Sequence, residues 1–158
     1  MDSVRERIMK NIQAALEAIT VENGYANTLN AVERLLQAGQ SSQPPMAYVL
    51  EGDDDVEAQG PLAGSFSLIS RSLNVGVVLV VQQDGDTDAR SASEVMNSLI
   101  ADVQKKMQED ERRGDLAINT EETGVSPVQI EEGMPVLSST IAYRVSYRHR
   151  RTDPTIAG

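Results

Sequence analysis

The sequence predicts an α+β domain: a single mixed or antiparallel sheet of about four to five strands packed against two main α-helices. Three observations carry that expectation. Asn74–Val81, NVGVVLVV, has six apolar residues in eight, five of them valine. Ser3–Thr20 and roughly Asp88–Arg113 repeat apolar side chains at helical spacing. Val136–Arg148 alternates apolar and polar residues with the period of a strand.

Asn74–Val81 is the stretch around which the rest is organised. Leu73, Val75, Val77, Leu79 and Val81 fall on one face of a strand, Val78 and Val80 on the other. A strand apolar on both faces needs cover on both, which places it in the middle of the sheet. Gly76 is read as a bulge or a close approach.

In the first helix, Val4, Ile8, Ile12, Leu16 and Ile19 make the apolar stripe. Ser3 and Glu6 fit a capping box, and Asn23–Gly24 supply the stop. Thr28–Gln37 is ambiguous: Leu29, Val32, Leu35 and Leu36 fit a helix by spacing, but the segment is short and a strand is also possible. Residues 39–45, GQSSQPP, read as a loop ended by prolines. Met46–Leu50 is a short strand. Glu51–Gly60, EGDDDVEAQG, reads as an acidic loop, and Leu62–Gln82 carries the central strand, with Gly60, Pro61 and Gly64 at its start.

The second helix has Ala92, Val95, Met96, Leu99, Val103 and Met107 as its stripe. Ser91 and Glu94 form a second capping box, so the regular helix can begin as late as there. Its acidic start and its end at Lys105, Lys106, Arg112 and Arg113 complement the helix macrodipole. Gly114 is the stop. Leu116–Ile118 is a weak strand, and Glu121–Pro135 an acidic connection with Val128 and Ile130 alternating. In the last strand Ile141, Tyr143, Val145 and Tyr147 face one way; Ala142, Arg144, Ser146 and Arg148 face the other. Residues 1–150 form one domain, and 151–158 a polar, flexible tail.

The length of 158 residues suits one domain and a self-sufficient core. There is no cysteine, so no disulfide framework and no thiolate metal site. No signal peptide or membrane span is expected, since no apolar run approaches about 20 residues. A net charge of −10, one Phe, four Tyr and no Trp argue against nonspecific nucleic-acid binding.

No catalytic constellation emerges, and no cofactor or metal is expected. Asp84, Asp86 and Asp88 have the opening spacing of a calcium loop, but Ala89 replaces the turn glycine and Val95 the closing glutamate. The plain reading is carboxylates at a helix N-terminus. Glu51, Asp53, Asp54, Asp55 and Glu57 could meet a basic partner, hold a hard cation, or keep a sheet edge solvated. Arg144, Arg148, Arg150 and Arg151, with the single histidine His149, form the only basic cluster. It suits nucleic acid, a solvated strand face, or acidic loops of a neighbouring subunit; the last is favoured. His149 has no evident nucleophile partner. With no acid, base and nucleophile set, an enzyme is not expected.

The order of elements, with certain residues, resembles the tail terminator, or tail completion, proteins of long-tailed bacteriophages. The matching pieces are the opening helix, Asn23-Gly24-Tyr25, Val32-Glu33-Arg34, and Pro45 leading into AYVLEGDDDVE. They continue with the valine-rich strand, the helix carrying Leu99, Ile100 and Val103, and Tyr143-Arg144-Val145-Ser146-Tyr147-Arg148 before Asp153-Pro154. The resemblance covers most of the chain through motifs that are individually weak. The acidic loop is long, and the tail basic, for that family.

The resemblance implies a strand at Leu29–Leu36. It also implies a structural virion protein of the tail or neck, assembled in the bacterial host cytoplasm. Such proteins form a hexameric ring on the head-proximal end of the tail tube, stop its growth and present the head-joining surface. The implied partners are further copies of the chain, the tail tube protein and a head-completion or connector protein, with no membrane and no specific nucleic acid. Acidic and basic patches on opposite flanks would let copies meet head to tail until a ring closes. The alternatives are another neck or tail component, such as a head–tail connector or tube protein, and a small ligand-binding or regulatory α+β domain.

Overall fold

The computed structural model describes residues 1–34, 43–60, 67–84, 90–130, 133 and 135–158. The elements are α1 (Val4–Glu17), a 3-10 turn (Val21–Asn23), β1 (Ala31–Glu33), β2 (Met46–Gln59), β3 (Leu68–Gln82), α2 (Ala92–Glu109), β4 (Asn119–Val125), β5 (Gln129–Ile130) and β6 (Val136–Arg150). Two helices and one six-stranded sheet make an α+β fold, with slightly more strands than expected. The strand order is β1-β2-β3-β6-β4, with β5 also paired to β6. Only β1 and β2 run parallel, so the sheet is mixed.

β3 lies in the middle, as its composition requires. Leu73, Val75, Val77, Leu79 and Val81 are buried, and they share one core with the stripes of both helices and with Ile141, Tyr143, Val145 and Tyr147 of β6. Both helices therefore cover the same face. Val78 and Val80, on the other face, are only half-buried. Two-sided cover is not what the valine run encodes. β-branched residues also favour strands because they pack against neighbours on the pleated surface, with or without a covering layer. Gly76 is in regular register, and a Cβ there would meet Thr140 Cγ2 at 3.4 Å, an ordinary van der Waals contact, so it marks neither a bulge nor a close approach.

The helix caps form as the sequence requires: the Ser3 hydroxyl accepts from Glu6 N at 3.1 Å and the Ser91 hydroxyl from Glu94 N at 3.2 Å. α2 stops at Glu109, before Gly114, and the chain then turns through left-handed residues at Arg113, Gly114 and Asp115. The ambiguous segment is a strand at Ala31–Glu33, while Leu35 and Leu36 lie outside the described residues. So do Pro61, Gly64, Asp86 and Asp88.

Three sequence readings are corrected. The acidic stretch at Glu51–Gln59 is strand, continuing β2 along the full length of β3. Backbone pairing carries it, with bulges between Glu51 and Asp54 and between Val56 and Ala58. Leu116–Ile118 precedes the strand, and the acidic connection itself contributes β4 and β5. Those edge residues are exposed except Thr120, so no apolar period advertises them. Finally, residues 151–158 fold back on the domain. Pro154 O caps α1 by accepting from Val4 N at 2.9 Å, Thr155 O accepts from Arg7, and Gly158 N donates to Arg148 O at 3.1 Å. The tail thus satisfies a helix-end donor that would otherwise need water. No described helix is long and apolar enough to cross a membrane.

Candidate functional site: the charged end of the sheet and its open face

The bulge after Glu51 sets which carboxylates face the helices. Glu51 pairs across from Val75 and Asp54 from Leu73, so both point to the covered face. There the N-terminus of α1 supplies Arg5, whose Nε reaches Glu51 at 3.1 Å and whose Nη1 reaches Asp54 at 3.3 Å. Arg34, just after β1, bridges Glu6 at 2.6 Å and Glu51 at 3.1 Å. The Tyr147 hydroxyl donates to Asp54 at 2.6 Å, and Arg71 stands 3.8 Å from the other carboxylate oxygen. Burial, with the Asp54 hydrogen bond second, pushes the Tyr147 phenol far up from its ordinary value.

His149 extends this network. It is buried within β6 rather than placed in a polar tail. Its Nε2 accepts from Arg71 Nε at 2.9 Å, and Nδ1 lies 2.8 Å from Arg150 O. The two contacts together assign the neutral tautomer with the proton on Nδ1. No nucleophile is within this set, so its role is to tie β3 to β6.

Asp53, Asp55 and Glu57 remain exposed. Asp55 pairs with Ser72, which in turn pairs with Ser146, so its side chain belongs to the open face. Arg144 and Arg148, also on that face, are exposed. Arg150 is half-buried, and Arg151 donates to Gly60 O at 3.3 Å within the subunit.

The acidic and basic groups therefore do not lie on opposite flanks. Strand order β2-β3-β6 brings them to the same end of the sheet, two strands or about 10 Å apart. Sequence separation was no guide to distance, because β3 alone lies between. Of the expected interface candidates, Glu51 and Asp54 are neutralised inside the subunit; Asp53, Asp55, Glu57, Arg144 and Arg148 face solvent.

Two buried polar groups, Asp102 and Tyr25, carry contacts that went unread in the sequence. A third, Arg113, was read as a charge at the end of the second helix but lies beyond that end and is buried. Asp102, on α2, accepts from Asn27 N and Asn27 Nδ2, each at 2.9 Å, and from Ala26 N at 3.2 Å. Arg90 completes that staple by donating to Asn27 Oδ1 at 3.1 Å. Arg113 is wholly buried, its Nη2 donating to Met107 O at 2.6 Å, with desolvation lowering its pKa. Tyr25 donates to Glu109 at 2.6 Å, and burial chiefly pushes it up to about 12. Asp102 was detectable in principle, since it falls beside the apolar stripe of α2.

Among the described residues no three metal-ligating side chains converge. The α1–α2 groove, lined by Asn11, Ala14, Ala15, Ala18, Lys106 and Glu109, encloses about 370 Å³ and brings together no acid, base and nucleophile. What the arrangement offers is surface: an open sheet face and two sheet edges. No protein-family model matches the chain, and no curated protein matches it at a significant level.

Proposed function

We propose that the chain is a structural virion protein that acts as a phage tail terminator, forming a ring on the head-proximal end of the tail tube. One observation carries the assembly reading: among the described residues both helices cover the same face of the sheet, which leaves the other face and both sheet edges as surface. A one-sided sheet with apolar residues at its open centre is a surface for another protein. The α+β architecture agrees with the fold implied by the resemblance, and the resemblance alone supplies the tail.

The charge-paired ring contact is not retained, because its two patches share one end of the sheet. The two sheet edges do lie on opposite flanks, as a head-to-tail contact requires. Along the β4–β5 side Ile118, Val125, Val128 and Ile130 are exposed, and Val56 is exposed on the β2 side. These edges are the ring contacts of the proposal. A phage lacking the gene should make overlong or headless tails. Tails of normal length joined to filled heads would refute the terminator role, and absence of any tube would indicate a tube protein instead.

A further inference from the structure

We infer that the open face of the sheet docks a second copy of this chain about a two-fold axis near Ser72. On that face Asp55 of β2 stands on one side of β3, and Arg144 and Arg148 of β6 stand on the other. Between them lie Ser70, Ser72 and Asn74 of β3, short polar side chains of which Ser72 is buried among its neighbours and Asn74 is exposed. Turning a second copy over this face sets its Arg144 and Arg148 above Asp55 of the first, and its own Asp55 above the first copy's arginines. Each contact occurs twice, which is the mark of a self-complementary two-fold interface. A head-to-tail contact through the same groups is excluded by their shared face.

The rest of the face fits the same occupant. Beyond the charged end it presents Tyr48, Leu50, Val78, Val80 and Ala142, all half-buried in the single subunit. Sheets that pack face to face bury such inner surfaces at a spacing of about 10 Å. β3 and β6 are each 15 residues long. With β2 alongside, the face is about 50 Å long and about 14 Å wide, or about 700 Å². That approaches the roughly 800 Å² per partner of a standard stable interface. Neither arginine has an ion-pair partner among the described residues, whereas Glu51 and Asp54 are already occupied.

The contact does not depend on the ring reading. Combined with a ring, it would join two rings back to back; alone, it closes with two copies.

The test is the molar mass of the full chain by light scattering, with wild type, Asp55→Lys and the double variant Arg144→Glu/Arg148→Glu. At low ionic strength and about 100 µM, wild type should have the mass of two copies, because affinities of micromolar order are then saturated. Each variant alone should dissociate at least about a hundredfold more readily, since like charges then meet across the interface. Mixing the two variants should restore the two-copy mass, because every facing pair is again opposite in sign. That recovery also shows both variants to be folded. A wild type of one-copy mass, variants that pair as well as wild type, or a mixture that stays monomeric would each overturn the proposal. A closed ring of more than two copies, insensitive to all three substitutions, would also overturn it while favouring the edge-built ring. A two-copy wild type from a gene whose loss leaves tails normal would leave this contact standing and end the terminator reading.

Discussion

The two faces of the sheet are built from the same central strands yet behave differently. On the covered face, Val75, Val77 and Leu79 are buried under α1 and α2. On the open face, Val78 and Val80 are half-buried with only their strand neighbours for company. Five valines in one run thus serve two purposes. Alternate ones build the core, and the others keep the strand stiff and offer a surface. The difference teaches that apolar character on both sides of a strand measures its fitness for the pleat, and that the number of helices decides how many faces are covered.

The largest contrast between the faces should appear in stability. Leu99→Ala empties space between α2 and β3 and should cost about 2–5 kcal/mol in a urea melt. A cost below about 0.5 kcal/mol would place α2 off the covered face. Next is the staple that holds the 24–30 turn onto the same layer. Asp102→Ala leaves the buried Asn27 N–H and its neighbour without an acceptor, and should cost about 2–3 kcal/mol. If Asp102→Ala proved neutral, that turn would owe its position to Leu29 packing alone.

Alkali should attack the covered layer as well. Tyr25, Tyr143 and Tyr147 are all buried on it, and burial raises each above its ordinary value of 10. A raised folded pKa favours the protonated form, so this contribution is complete below about pH 10 and is lost as pH climbs through the folded values. Unfolding and tyrosinate absorbance should therefore rise together above pH 10. Tyrosinate appearing near pH 10 in a chain that stays folded would show these phenols to be accessible. Smallest of all should be Val78→Thr, within about 0.5 kcal/mol in the dilute single chain, as for ordinary surface positions. A loss of 2 kcal/mol there would mean that the second face is covered.

Much of the covered layer was legible. The alternation of Ile141, Tyr143, Val145 and Tyr147, the odd positions of β3 and both serine N-caps appear as read, because burial and orphan backbone groups leave a mark on side-chain type. The glutamate halves of the capping boxes do not form, and Glu6 pairs with Arg34 instead. The strand at Gly52–Gln59 was not legible, since its pairing is made by backbone while its side chains are carboxylates that otherwise mark loops. β4 and β5 were hidden for the same reason: an edge strand exposed on both faces has no apolar period. The tail's fold depends on meeting the start of α1, a contact 150 residues distant that no local pattern encodes. The charged candidates were found as residue types, but their arrangement was not. Only the strand order shows that Asp54 is consumed by Arg5, Arg71 and Tyr147 while Asp55, one residue on, faces out.

The absence of cysteine makes one direct measurement possible. Val77→Cys and Val78→Cys place a single thiol on the covered and the open face, and maleimide labelling reads the accessibility of each. Cys introduced at 77 should react only when the chain unfolds. Cys introduced at 78 should react readily in dilute solution and slow as concentration rises and a second copy covers it. Protection at 78 at every dilution would contradict the open face, and concentration-independent labelling there would contradict its use as a contact between copies.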